Sequence, residues 1–582
     1  MFTAKKDVRL YKRKLKNLIF VFAALTLLLA SAGFPTGVHA FSLTITVTTP
    51  EDNTTLDGLC SLREAITNAN NNAATYKDCP AGLAGEFINF ANTLGTATIL
   101  LGSPLPAVTD TAGLTITGGG IITINGNDAY QIFQTGINVP LTLDGLTVTH
   151  GLSSASGGGA YVNTGSTLTV QNSTFSSNHA TTFGGGIDNN GTVIITNSAF
   201  SGNSAIESGG GVMSTGAVTI ANSGFSNNSS NYGGGVRAYG GTLTISQSIF
   251  SSNTALSYGG GIYNFAGTLT ITQCTFSGNT APAGGGIENE GSLTLANSTF
   301  FNNSATLGGG LTNSFIGTTI GNAAIINSTF SNNSAVTTGG GIYNAAYLSL
   351  NNTIIANSPS GGDCDNSGVM NASANNLIEN ALFACDLTNG VSANITGADP
   401  NLGPGTGSPV YLPLNGGSLA INTANDAQCA AAPVNDASEN GLSRPQGAHC
   451  DIGAYEADVT PPVVASIVRA DPDPTNAASV HFTVTFSEPV YGVTTGDFAL
   501  TTTGIAGAVV SAVSSDSGAT RTVTVTTGTG AGTIRLDVVD RDTILDTANL
   551  HLGGDGLGNG NFTSGAVYQV RMLHTYLPNL RR

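Results

Sequence analysis

A Gly-Gly-Gly triplet recurs eight times in this chain, beginning at Gly157, Gly184, Gly209, Gly233, Gly259, Gly284, Gly308 and Gly339. Successive triplets lie 27, 25, 24, 26, 25, 24 and 31 residues apart. A small or aliphatic residue follows each one (Ala160, Ile187, Val212, Val236, Ile262, Ile287, Leu311, Ile342), and then an alternating run such as Val193-Ile-Ile195 or Leu243-Thr-Ile245. Two residues past that run stands an amide: Asn172, Asn197, Asn222, Gln247, Gln273, Asn297, Asn327 or Asn352. Three further on come Phe175, Phe200, Phe225, Phe250, Phe276, Phe300 and Phe330, with Ile355 in the eighth copy. In the first seven copies Asn178, Asn203, Asn228, Asn253, Asn279, Asn303 and Asn333 complete the pattern.

A period near 25 residues with strand alternation and no helical spacing predicts a β-solenoid, each copy being one coil of short parallel strands. Stacking coils about 4.8 Å apart puts like residues on like, so the phenylalanines and asparagines are expected to form columns along the axis. One coil cannot bury enough apolar surface to order its own backbone, so the coils must stabilise one another. The glycines are expected at corners that need positive φ or close backbone approach.

The paired signals GGGI and FxxN, as in Gly284-Gly-Gly-Ile287 and Phe276-Ser-Gly-Asn279, resemble the repeats of the polymorphic outer membrane proteins of chlamydiae. That resemblance implies a right-handed parallel β-helix carried by a surface adhesin. It covers about 200 residues, from Gly157 to Asn357, and does not extend to a C-terminal membrane barrel.

Residues 1–40 read as a secretory signal peptide: seven Lys and Arg between Lys5 and Lys16, an apolar core from Asn17 to Phe34, and Val38-His39-Ala40 before Phe41. No later apolar run is long enough to span a bilayer. The chain is therefore expected to be secreted or held at the cell surface. The formal net charge is −17, and the leader holds seven of the eighteen basic residues, so the exported part is more acidic still. Such a surface repels nucleic acid and anionic lipid, which makes both poor partners. In an oxidising compartment, nearest-neighbour pairing of the cysteines predicts disulfides Cys60–Cys79, Cys364–Cys385 and Cys429–Cys450, leaving Cys274 as a buried thiol in a position where other copies carry Ser.

Residues 41–92 are assigned to an N-terminal cap. Cys60-Ser-Leu-Arg-Glu-Ala-Ile66 opens a helix, with Ser61 and Glu64 as a capping box and Leu62, Ala65, Ile66 and Ala69 on one face. An amphipathic helix here suits a lid over the open end of the solenoid. The stretch resembles the CSLREA domain found at the head of bacterial surface β-helix proteins. Arg63 and Glu64 are expected to form an ion pair within the cap.

Residues 93–357 are assigned to the β-helix. Residues 358–456 are expected to continue it and close its far end. The latter run, with Asp399-Pro-Asn-Leu-Gly403 and Arg444-Pro-Gln-Gly-Ala-His-Cys-Asp-Ile-Gly-Ala-Tyr-Glu456, resembles the choice-of-anchor Q domain of the same bacterial proteins. Beyond Thr460-Pro-Pro462, residues 457–571 carry seven strand-like runs separated by Gly, Asp and Ser, which predicts a β-sandwich. Val480-His-Phe-Thr-Val-Thr-Phe-Ser-Glu-Pro-Val490 resembles bacterial Ig-like surface domains, and residues 572–582 form a tail.

The β-helix is also the fold of pectate lyases and polygalacturonases, so the fold does not decide between binding and catalysis. Between Gly157 and Asn357 the only base is Arg237 and the only acids are Asp188, Glu207, Glu288 and Glu290. Coils so poor in charge are read as a poor place for catalysis, and no catalytic residue is assigned. Asp363, Asp365, Asp399, Asp426, Asp436, Asp451 and Glu456 are weighed as a Ca²⁺ site or glycosidase pair against turn-capping carboxylates, with turn capping preferred; Asp471 and Asp473 are weighed likewise. No cofactor is assigned beyond that possible Ca²⁺. The reading is a non-catalytic, exported protein binding extracellular glycans, matrix or cell-surface proteins. The alternatives are a secreted polysaccharide lyase or glycoside hydrolase, and a stalk presenting the C-terminal domain.

Overall fold

The computed structural model describes residues 44–514 and 517–572, so the expected signal peptide and most of the expected tail lie outside the described residues. Strands stack in parallel register from Thr44–Val47 to Ile395–Thr396 as the coils of a β-solenoid. Phe175 to Phe330 pair in unbroken register, their rings stacked nearly parallel with centroids 4.5–5.0 Å apart. All seven rings are fully buried. Beside them runs the asparagine column, also fully buried. In each step the Nδ2 of one Asn donates to the Oδ1 of the next and to a carbonyl one coil back, that of Val148 for Asn178 and of a Phe thereafter, as Asn203 does to Asn228 and Phe175.

The corner glycines divide two tasks. Gly209 sits at φ +65°, which an L side chain rarely adopts. A Cβ on Gly210 would lie 2.5 Å from two carbonyl oxygens, and one on Gly211 3.0 Å from the Phe225 ring. The amides form a second corner: Asn172, Asn197, Asn222, Gln247, Gln273, Asn297, Asn327 and Asn352 all lie between φ +46° and +54°. Asn tolerates this conformation because its short polar side chain bonds locally. Asn222→Ala should therefore lower stability by about 1–2 kcal/mol and Asn222→Gly by much less, read from urea unfolding midpoints; equal losses would contradict the account.

The helix Leu62–Asn71 closes one end. Ser61 and Glu64 form the capping box, and Leu62, Ala65, Ile66 and Ala69 are fully buried. The expected Arg63–Glu64 ion pair does not form. Glu64 faces the helix start, where its carboxylate accepts the Ser61 N–H, whereas Arg63 points outward to Asp52 at 2.7 Å and to the carbonyls of Ser103 and Pro104. Adjacent residues on a helix cannot face each other, which is why sequence adjacency misled. The disulfide Cys60–Cys79 ties the helix to the following loop.

A second correction concerns the other end. Cys364–Cys385 joins two late coils, but after Thr396 the chain stops coiling and runs back along the flank. Gln273 donates to the Ser438 carbonyl, Thr275 to that of Val410, Asn352 to that of Asn425, and the Ala454 N–H reaches Thr329. Cys429–Cys450 pins this flap, whose Leu414, Ala420, Ala424 and Ile452 pack on Ile354 and Leu377. The outward residues beneath it (Thr275, Thr299, Thr329, Ile354) are buried, while their counterparts Thr174 and Ala199 in earlier coils are not. Cys274 lies under the same flap, a free buried thiol in the serine column.

Residues 464–570 form a separate all-β unit of antiparallel ladders. One sheet has the order Val464–Arg469, Ser479–Phe486, Thr520–Thr526, Val509–Val513; the other joins Phe498–Ala506, Thr529–Val538 and Val567–Val570. Val490–Tyr491 pairs with Leu545–Asp546 at one edge. Phe482 and Tyr568 meet edge-on in the core, 5.0 Å apart.

Candidate functional site

The residue after each aliphatic position points out of the coil, and stacking turns these points into a column. Parallel register aligns Asp188, Met213, Arg237, Tyr263, Glu288, Thr312 and Tyr343. Two residues on, Tyr239, Phe265 and Glu290 align. Across the glycine corner, Tyr232 pairs with Tyr258. The regular coils are thus poor in charge overall but not evenly so: Arg237, Glu288 and Glu290 converge. The expectation that these coils are a poor place for catalysis rested on residue counts, whereas the register brings positions about 25 residues apart to about 4.8 Å.

The Arg237 guanidinium carbon lies 4.9, 5.2 and 5.3 Å from the ring centroids of Tyr232, Tyr239 and Tyr263. Such cation–π contacts are worth about 0.5–2 kcal/mol each, more as water is excluded. Its Nη1 donates to Ser208. The Tyr263 hydroxyl donates to Glu290 at 2.7 Å, and Ser314 donates to Glu288 at 2.5 Å. Beside this cluster Tyr239 stacks on Phe265, centroids 5.0 Å apart, and Tyr239 is 48% exposed. Glu288 and Glu290 are each only 1% exposed. Nε of Arg237 and Oε2 of Glu288 have no hydrogen-bond partner.

Burial governs the electrostatics. It pushes the Glu288 carboxyl up to about 8 and Asp188 up to about 6. It also raises Glu290, against the Tyr263 and Ser314 hydrogen bonds, and raises Tyr263, whose hydrogen bond to Glu290 adds to the effect. Arg237 is lowered by burial, against its tyrosine and Glu290 neighbours.

The long 31-residue spacing between Gly308 and Gly339 is explained here. Phe315–Ile316 pairs antiparallel with Thr319–Ile320 as a hairpin that lies against Ile262–Thr272 and Ile287–Ala296, with Ser314 at its base. Its Phe315, Ile316 and Ile320 are all exposed. The arrangement is therefore an exposed aromatic ledge beside a covered set of acid groups.

Most of the C-terminal carboxylates named from sequence lie in separate turns; Asp451 and Glu456 share one, where the Asp451 N–H donates to Glu456. Asp363 accepts from the N–H groups of Ser358 and Asn380 and borders an open cavity of about 460 Å³ with Glu379. Asp399 caps the turn at Asn401, Asp426 holds Cys450 and His449, and Asp451 holds Asn422 and Ala457. Glu456 forms a buried pair with Arg444 at 2.9 Å, and Arg444 also donates to three carbonyls of its own loop. Asp365 extends the Tyr343 column, and Asp436 is exposed. Asp471 holds His481 while Asp473 holds Arg469 and Gln569.

Residues 247–264 and 327–345 match the family model of the Chlamydia polymorphic membrane protein (Chlamydia_PMP) repeat. Each matched segment spans one amide corner, one ladder residue pair and one glycine triplet. A search of curated proteins finds no match. Among solved structures the chain is similar to "Crystal structure of pectate lyase Pel9A", at 13% identity and a TM-score of 0.30, covering 71% of this chain and 96% of that one. No helix of the described residues is long and apolar enough to cross a membrane.

Proposed function

We propose that this chain is an exported, non-catalytic surface protein that binds neutral glycans on the ledge formed by Tyr239, Phe265 and Arg237. The observation that carries the reading is the stacked Tyr239–Phe265 pair, with Tyr239 exposed and Phe265 half-buried, beside the one cation of the regular coils. Sugar rings stack on aromatic faces and their hydroxyls bond to flanking polar groups. A net charge of −17 disfavours acidic polysaccharides. The repeat match supports placement at a cell surface, and the same ledge would serve adhesion to glycoproteins of a matrix or neighbouring cell.

The test is a neutral-glycan panel on the mature protein, scored for binding and for product release. Tyr239→Ala is expected to weaken the best ligand about tenfold or more, as losing a stacked ring costs about 1–2 kcal/mol. Arg237→Gln should weaken it less. Unchanged binding in Tyr239→Ala would remove the ledge from the account. A second reading, a secreted carbohydrate-active enzyme, is favoured by Glu288 and Glu290 lying together with raised proton affinity. Against it stands their burial under the hairpin. Release of reducing or unsaturated sugar, abolished in Glu290→Gln, would establish that reading instead.

A further inference from the structure

Three carboxylates that no repeat or motif connects meet at the joint between the β-helix and the C-terminal unit. Asp458 lies in the connecting segment, Glu488 in the turn after Ser479–Phe486, and Asp546 on the edge strand Leu545–Asp546. An oxygen from each lies within 4.8 Å of the others. Acidic residues do crowd together on protein surfaces, but Asp546 is not on the surface. It is only 2% exposed; its Oδ1 accepts the N–H groups of Ala548 and Leu550, and its Oδ2 has no donor at all. A buried carboxylate oxygen left bare is costly unless a cation meets it.

We propose that Asp458, Glu488 and Asp546 bind a divalent cation, Ca²⁺ in preference to Mg²⁺, and that the ion fastens the connecting segment to the edge of the C-terminal unit. The preference follows from size. Ca²⁺ takes six to eight oxygens at about 2.3–2.6 Å in flexible geometry, whereas Mg²⁺ holds its ligands at about 2.1 Å in a strict octahedron. Three carboxylates and the solvent open to Asp458 and Glu488 suit the larger, less demanding ion. The fastening follows from position: Asp546 pairs with Val490, two residues beyond Glu488, so two ligands belong to the edge ladder and the third to the connection.

The experiment is calcium titration of the full mature chain after EDTA treatment, followed by calorimetric melting in CaCl₂, MgCl₂ or EDTA. Binding in the range of about 0.1–1 mM is expected, as for extracellular calcium modules. Millimolar CaCl₂ should raise the melting transition of the C-terminal unit by about 5 °C or more, with a smaller effect of MgCl₂. Glu488→Gln and Asp458→Asn should each weaken calcium binding at least tenfold and abolish the shift. Asp546→Asn alters a buried position and could unfold the edge, so the test rests on the other two variants. No calcium-dependent shift in the wild type, or a shift retained in both variants, would overturn the proposal.

Discussion

Replacing Asn228 with leucine should destabilise the solenoid by about 4 kcal/mol or more, although the two side chains are nearly the same size. Asn228 is fully buried. Its Oδ1 accepts both the backbone N–H and the Nδ2 of Asn203 at 3.0 Å, and its Nδ2 donates to the Phe200 carbonyl and to Asn253, each at 2.9 Å. Leucine would leave two donors on Asn203 and a carbonyl on Phe200 without partners, in a place water cannot reach. Each buried orphan costs about 1–3 kcal/mol. Because coils are stabilised chiefly by their neighbours, the break should also divide the rod into two weaker segments. Hydrogen exchange would read this as lost amide protection in the coils holding Phe200, Phe225 and Phe250. A leucine variant within about 1 kcal/mol of the wild type, with protection intact, would show that the column fills space and nothing more.

The second large effect is a stability that falls as pH rises. Glu288 is held near 8 by burial, against an ordinary 4.5. In the unfolded chain it ionises near that ordinary value, so between about pH 4.5 and 8 the folded state carries a proton the unfolded state has lost. The raised carboxyl therefore contributes stability that is fully present below pH 4.5 and disappears as pH climbs through 8, with a slope of up to about 1.4 kcal/mol per pH unit. Asp188, raised to about 6, and Glu439, raised well above its ordinary value by burial under the flap, act in the same direction. Asp426, lowered by its hydrogen bond to His449, acts in the opposite sense but is half exposed. Thermal midpoints measured in EDTA should fall from pH 5 to pH 8. Glu288→Gln should flatten that fall, matching the wild type near pH 4.5 and exceeding it at pH 8. A flat wild-type profile, or parallel profiles for the two proteins, would mean that Glu288 ionises normally in the fold.

Much of the fold was open to reading because a solenoid repeats its local rules. A residue's role in one coil is its role in all, so Phe200 over Phe225 followed from spacing alone. The cap helix was likewise legible, since Ser61, Glu64 and the Leu62, Ala65, Ile66 and Ala69 face are local signals. The amide corners were visible as a recurring letter but not as a conformation. Their meaning rests on φ values near +50°, and Gln247 and Gln273 share them without sharing the usual preference of Asn. The flap over Thr275, Thr299 and Thr329 was not legible, because those residues read like their exposed counterparts in earlier coils. Even Ile354 was no clue, because Ile249 stands at the same position in a coil the flap does not cover.

The candidate site was least legible. Arg237, Tyr263 and Glu288 lie 25 or 26 residues apart, and each alone looks like an exception to a neutral repeat. By itself the sequence determined the coil, its inward columns and its capped first end, because these depend on period and on side-chain polarity within one coil. Tertiary structure alone decided which outward residues meet, which are covered, and where charge gathers. Those outcomes depend on axial register and on how the chain after Thr396 folds back, and neither is encoded within about 25 residues of the positions it affects.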